Sequence, residues 1–412
     1  MAEICLTYLN SRQVKALSTA GTQNTPFIEY SSVFWGAHAK RELSNRGRSL
    51  ALELLKEHYG QIPTKLLLVQ VKHLYFGYFN TFYPFSGLHC ASFFGIGEVV
   101  ATLIEMEHYD INGEDFLGRT PLGWAAFNGH EGVVKMLLGR REVSPDKLDN
   151  YGQTPLSHAA LQGHEAVVKI LLGREEINPN KPDDADRTPL SFAAWRGHEG
   201  VVKILLGQEE VDPDKPSVGG QTPLSYAAQC GHEEVVQMLL GREEVNPDGP
   251  NNDGKTPLSH AAMYGHEGVV KILLGREEVD PDKPDIYGRT PLSFAAESGH
   301  DGVVKILLER EEVNPDKLDK FDRTPLLHAA QYGREVVVKI LLGREEVDPD
   351  KPDNYGQTPL LRAARNGHEG VAKILLGREE VNPNNPDIAG RAPLSIATEK
   401  GYERVVALLQ SR

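Results

Sequence analysis

Residues Gly288 to Phe321 read GRTPLSFAAESGHDGVVKILLEREEVNPDKLDKF, and the chain repeats this phrase with small changes along most of its length. Thr-Pro-Leu triplets begin at Thr120, Thr154, Thr188, Thr222, Thr256, Thr290, Thr324 and Thr358, always 34 residues apart. Ala392-Pro393-Leu394 continues the phase, and Ser86-Gly87-Leu88 opens it in degenerate form. A fixed period of this length is the mark of stacked repeats, not of a closed globule.

Each part of the phrase has a physical meaning. Thr290 is a helix cap placed before Pro291, whose missing N–H costs nothing at the first helical position. Leu292, Ala295 and Ala296 give a short helix with a small-residue face. Gly299 ends it, because glycine adopts the left-handed conformation cheaply. A second helix follows, with Val303, Val304, Ile306, Leu307 and Leu308 apolar on more than one side. Helices of two or three turns do not persist alone, so stability must come from neighbouring units. The stretch from Asn314 to Lys317 is loop and hairpin turn.

These units resemble ankyrin repeats. The family pattern of Thr-Pro-Leu-His, Ala-Ala, Gly-His, Val-Val and Leu-Leu is matched from residue 86 to 412. The resemblance implies an all-α solenoid of helix–turn–helix units joined by β-hairpin-like loops. Residues 81–412 would hold about ten 34-residue units, the first and last being degenerate caps. Two departures stand out. The histidine after leucine is mostly serine (Ser157, Ser191, Ser225, Ser259, Ser293) and survives at His89. The loop after the second helix lacks the usual Gly-Ala-Asp-Val-Asn. Paired glutamates such as Glu277 and Glu278 sit near a helix C-terminus, where they oppose the dipole. Nothing in the sequence explains their recurrence. Thr398 and Arg404, in place of small residues, read as a polar terminal face.

Residues 1–80 carry no repeat and form the expected helical N-terminal segment. Helical spacing is visible in 1–17, 26–43 and 49–59, with a Thr25-Pro26 start. The run TPFIEYSSVFWGAHAKREL (residues 25–43) is similar to the helical stretch joining the NTPase to the ankyrin array in fungal NACHT-type STAND proteins. MAEICLTYLN is similar to the end of their preceding winged-helix region. The resemblance implies a fungal source and a chain without the NTPase module. A helical cap over the first repeat is compatible with it.

Composition excludes several classes. Net charge is −14, with residues 1–80 positive and the remainder strongly acidic, which disfavours phosphate backbones and so nucleic acid. Cys5, Cys90 and Cys230 fit neither a disulfide framework nor a metal site. The N-terminus does not read as a signal peptide, and the apolar run 66–79 is interrupted by Lys72 and His73 and too short to span a bilayer. The expectation is a cytoplasmic, soluble, monomeric protein.

No motif survives as an active site. GPNNDGKT (Gly249 to Thr256) satisfies the Walker A pattern, but Gly254-Lys255-Thr256 is in phase with Gly288-Arg289-Thr290, and neither the preceding strand nor the long following helix is present. Histidines after glycine (His130, His164, His198, His232, His266, His300, His368) fall on separate units, which suits hydrogen bonding at helix junctions better than metal ligation. His164-Glu165 lacks the orienting third group of a catalytic pair. Cys230 is the cysteine expected to face the surface, with no cationic neighbour apparent. No catalytic residue, cofactor or metal ligand is assigned.

Binding should use the residues that vary between units. In the ankyrin family these are the hairpin tips and the slots after Ala-Ala on a concave face. By register the candidates are Phe127, Trp195, Arg196, Tyr264, Tyr332 and Arg365 on first helices. On hairpins they are Tyr151, Arg187, Lys255, Tyr287, Arg289, Phe321, Arg323 and Tyr355. Aromatic and arginine side chains dominate interface hot spots, which points to an unknown protein partner. Packing of hairpin tyrosines on neighbouring hairpins is the plainer alternative. The set Arg187, Lys255, Arg289 and Arg323 reads as a basic rim for an acidic or polar surface. Three functions are carried forward: a recognition module, the sensing arm of a STAND-type system; a structural adaptor tethering membrane or cytoskeletal proteins; and, least supported, an NTPase.

Overall fold

The computed structural model describes residues 2–9, 43–56, 85–106 and 109–411. The expected helix over 26–43, its Thr25-Pro26 start and the apolar run 66–79 lie outside or almost outside these residues. Helices Ala2–Leu9 and Asn45–Lys56 pack against each other and bury Cys5, Leu6, Leu9, Ala51, Leu54 and Leu55. From Gly87 onward every described element is a helix, arranged as ten short pairs ending with Pro393–Lys400 and Glu403–Gln410. The fold is an all-helical repeat solenoid, of the kind that the resemblance implies. The hairpin-like loops are turns with no strand assigned among the described residues. The chain clusters into two compact units, Met1–Ala193 with Gly200–Val211, and Ala194–Glu199 with Asp212–Arg412.

The expected helix signals are used as read. Thr290 Oγ1 accepts from Ser293 N at 3.2 Å, Pro291 opens the helix, and Gly299 closes it at φ 86°. The serines that replace histidine keep this cap compact, because Ser293 Oγ meets Thr290 Oγ1 at 3.2 Å. The retained His89 does something different. Its Nδ1 completes a reciprocal cap with Ser86, and its Nε2 reaches the Gly113 carbonyl at 2.9 Å. In the last unit Ala392 caps with no side chain. Leu292, Ala295, Ala296, Val303, Val304 and Leu307 are wholly buried. Each buried Val or Leu contributes about 1.5–3 kcal/mol, and the alanines let first helices approach closely.

Junction histidines bond across units. His266 Nε2 lies 3.0 Å from Gln229 O, His300 Nε2 3.1 Å from Met263 O, and His368 Nε2 2.9 Å from Gln331 O. Arg334, where the column lacks histidine, donates through Nε to Glu297 O at 3.0 Å. Each ring covers the terminating glycine of the preceding unit. A Cβ on Gly265, whose φ is +80°, would stand 2.5 Å from His300 Nδ1. That glycine is therefore fixed twice, by its own backbone and by its neighbour's ring.

Second helices interlock by a different rule. A Cβ at Gly268, Gly302 or Gly370 would collide with the carboxylate of Glu233, Glu267 or Glu335 of the preceding unit. Those helices carry no side-chain cap of their own, so the neighbouring carboxylate sits near their positive N-terminal ends. In the last unit Arg404 replaces the glycine and pairs with Glu369 at 3.3 Å. The loops add a third link: Lys283, Lys317 and Lys351 reach back to Asp248, Asp282 and Asp316 at 2.7–2.9 Å. Gly249 interrupts this series, and Asp214, which would be its partner, is pushed up to about 6, chiefly by burial and further by Asp212.

The paired glutamates also find an account. The helix before them ends at Leu274, so Glu277 and Glu278 lie in a following turn, beyond the last helical residue. Val279 N closes this turn on Arg276 O at 3.3 Å and Val279 is buried, which turns both glutamates outward. Glu278 lies 3.6 Å from Arg276 Nε, and the same Arg-x-Glu pair recurs at Arg310–Glu312, Arg344–Glu346 and Arg378–Glu380. Exposed pairs of this kind stabilise little, so the buried valine, not the charge, fixes the turn.

The glycine–ring contact makes a prediction. Gly265→Ala and Gly401→Ala both put alanine at positive φ (+80° and +74°), but nothing lies within 4 Å of a Cβ on Gly401. Backbone strain alone costs each about 1–3 kcal/mol. Gly265→Ala should lower the thermal midpoint of the full chain distinctly further, because His300 must also move. Equal losses in calorimetry would remove the ring from the account.

Candidate partner-binding surface

The hairpin tips are built around a buried carboxylate. Asp285 Oδ1 accepts from Tyr287 N and Arg289 N at 2.9 and 2.8 Å, and Asp285 N donates to Arg289 O at 2.9 Å. Its other oxygen receives Arg289 Nε and a guanidinium NH2 at 3.0 and 2.8 Å. A buried charge is tolerated only when paired and hydrogen-bonded, and this side chain is both. Ser217 and Asn251 replace the carboxylate in two units, and where the aspartate is present its donor varies. Where the first helix carries Phe192 or Phe294, the donor is Arg187 or Arg289, lying 4.7 or 4.5 Å above that ring. Where the tip ends in Gln357, Arg362 from the helix reaches Asp353 instead. Trp124 Nε1 takes Asp115 at 2.7 Å. Asp319 has both His328 and Arg323; burial pushes its carboxyl up, but these hydrogen bonds hold it below the usual range.

The residues read as a basic rim are therefore engaged within their own hairpins. Arg187, Arg289 and Arg323 pair with Asp183, Asp285 and Asp319 at 2.6–2.8 Å, and Lys255 lies 3.5 Å from Asp253. Reversing these charges would disturb the hairpin as well as any partner. The Walker-like run shows the same internal use. Asp253 N and Lys255 N donate to Asn251 Oδ1, and Thr256 caps a helix of eight residues, Pro257–Tyr264.

The aromatic candidates divide by exposure. Tyr151, Tyr287, Phe321 and Tyr355 at the tips are 38–49% exposed. Tyr264 and Tyr332 on first helices are equally open, at 49% and 44%. Trp195 is half-buried under exposed Arg196, whose guanidinium lies 4.4 Å from its ring centroid. Arg365 is half-buried and donates to Gln357 Oε1 at 3.0 Å. Phe127 is packed edge-on against Trp124 and His158, at 5.9 and 5.8 Å, and offers little free surface. Residues beside the tips, Val218, Ile286 and Ile388, are also exposed and were not singled out from sequence. Their signal was available: they occupy the variable slot just before the position that Tyr287 holds, in a column where asparagine or charge is commoner.

Cys230 is half-buried, and burial raises its thiol pKa, with Arg196 partly opposing. The expectation that no cation lies near it is corrected by Arg196, brought close by the preceding unit. Burial pushes the Cys90 thiol up to about 12. Among the described residues no three His, Cys, Asp or Glu side chains converge as a metal set, and no helix is long and apolar enough to cross a membrane.

Buried histidines of the first helices contribute to the pH dependence, and His89 is among them, lowered chiefly by burial. His158 is lowered to about 4 by burial and by Arg119, and His260 to about 4 by burial and by Lys255. The unfolded chain takes up these protons first as pH falls, so the stabilisation is complete above about 6.5 and is lost toward 4. Asp214, raised to about 6, works in the opposite sense. Phenylalanine fills the His260 column at Phe192 and Phe294, so His260→Phe should fold and lose less stability than wild type between pH 7.5 and 4.5. Parallel pH profiles of thermal midpoint would rule His260 out.

Comparison with known proteins follows the repeat. The family model described as ankyrin repeats (3 copies) matches residues 88–183, 175–248, 241–317, 310–387 and 347–412. Among solved structures, the human ASB11 ankyrin repeat domain is similar at 27% identity with a TM-score of 0.47, covering 54% of this chain and 98% of that one. No curated protein matches the sequence.

Proposed function

The chain belongs to the ankyrin-repeat family, and from that premise we propose that it is a protein-recognition module without catalytic activity, holding a partner protein against its hairpin tips and first-helix slots. The observation that carries this reading is the placement of large aromatics. Tyr264, Tyr287, Phe321, Tyr332 and Tyr355 stay open to solvent above helices whose Ala-Ala, Val-Val and Leu-Leu columns are mostly buried, and Val218, Ile286 and Ile388 beside the tips are exposed with them. Exposed aromatics at rigid positions lose little entropy on docking, which is why they serve as anchors.

The family's ordinary use as a binding scaffold supports the reading, as does the internal engagement of the junction histidines and hairpin arginines. The resemblance of residues 25–43 to the linker of fungal NACHT-type STAND proteins supports a role as the sensing arm of such a system in the cytosol. An adaptor tethering other proteins would use the same surface.

The test is comparative capture. The full chain and a Trp195→Ala, Tyr264→Ala, Tyr332→Ala variant are cross-linked in native cytosol and analysed by mass spectrometry. Proteins enriched on wild type should fall at least tenfold on the variant, with unchanged circular dichroism. These side chains truncate at roughly 1–2 kcal/mol each when they anchor an interface. An identical protein set on both would end the assignment of these slots.

A further inference from the structure

Three consecutive hairpins present an aromatic at the same position: Tyr287, Phe321 and Tyr355. Their hairpins are tied in series by single backbone bonds, Lys320 N to Tyr287 O at 2.8 Å and Asn354 N to Phe321 O at 3.1 Å. Each hairpin is also closed on itself, as between Asp319 N and Arg323 O at 3.0 Å. Every unit thus contributes two hydrogen-bonded arms to the row. Neighbouring arms of that kind lie about 4.8 Å apart, so successive aromatics recur about every 9.6 Å. Packing of adjacent first helices at about 8–10 Å gives the same spacing.

A polyproline II helix advances about 3.1 Å per residue with three residues per turn, so one edge repeats about every 9.3 Å. Prolines three apart on such a segment meet one aromatic per repeat without stretching either partner. Aromatic rows of this kind grip proline rings because the extended segment is ordered before it binds. The presented charge selects further. Asp285 and Asp319 have no exposed side-chain surface, while their partners Arg289 and Arg323 are 20% and 22% exposed. The cationic half of each pair reaches the outside, lying 5.4 Å from the ring of Tyr287 and 4.9 Å from that of Phe321, although exposed Asp322 adjoins Phe321 and Glu297 lies 3.9 Å from Arg289. Exposed Lys320 adds to it.

We infer that the row Tyr287, Phe321 and Tyr355 docks an extended, proline-rich segment of a partner protein, with prolines at every third residue and carboxylates between them. This rests on the recognition function proposed above and names the chemistry of its partner. Tyrosine and phenylalanine at this position are dispensable for folding, since other units hold Ala185, Gly219, Asp253 and Ala389 there.

A displayed library of random 15-residue peptides, panned on the full chain, tests the inference. Peptides are then compared for retention on a Tyr287→Ala, Phe321→Ala, Tyr355→Ala variant of unchanged thermal midpoint. Those that lose at least tenfold on the variant should carry prolines three apart and an excess of Asp and Glu, and should weaken on Lys320→Glu. Row-dependent peptides without that proline spacing overturn the inference, as does a selection in which no peptide distinguishes wild type from variant. In the latter case a protein captured through Trp195, Tyr264 and Tyr332 would leave the recognition function standing.

Discussion

A helix that stops at Gly265 with φ +80° leaves its last carbonyls exposed, and the next unit answers with His300, whose ring closes over the glycine and bonds to Met263 O. This contact does two jobs with one residue pair. It satisfies backbone groups that a terminated helix cannot satisfy itself, and it sets the distance between successive units. Neither helix of a pair is longer than eight residues from Gly87 onward, which is too short to hold alone. The register of the whole array therefore rests on joints between units.

Three such joints act at different places in the repeat. The ring over glycine lies between first helices, the glutamate over glycine between second helices, and the lysine–aspartate pair in the loops. The glutamate joint is irregular, since Ala166, Glu234 and Val336 stand in its glycine column, and so is the loop link. At Gly249 it is missing, and Asp214 responds by holding its proton to a higher pH. The other two joints carry through the same region, where His266 and Glu233 keep their contacts. Loss of one loop link leaves the ring and glutamate joints of that region in place.

Much of this was legible beforehand. The Thr-Pro starts, glycine ends and valine–leucine faces are local signals, and each appears where its residue type demands. The histidines were readable as junction residues, but not as reaching into the preceding unit, since a contact 37 residues away depends on stacking geometry. The rim arginines show the opposite error of emphasis. Asp285 and Arg289 stand four apart in plain view, yet only the folded turn shows the aspartate buried and the arginine turned upon it. The glutamate pairs had no explanation until Val279 was seen to point inward. Exposure of the tip aromatics, too, depends on how neighbouring hairpins lie, which one unit's letters do not encode.

The sameness of the joints reaches beyond any one structure. His300 would cover the glycine of any unit placed before it, and Gly299 accepts an arginine where others accept imidazole. Excising 34 residues between like positions brings together two ends that already fit. Such a gene can lengthen or shorten its reading frame by whole modules, altering what the surface greets while leaving the masonry beneath it sound.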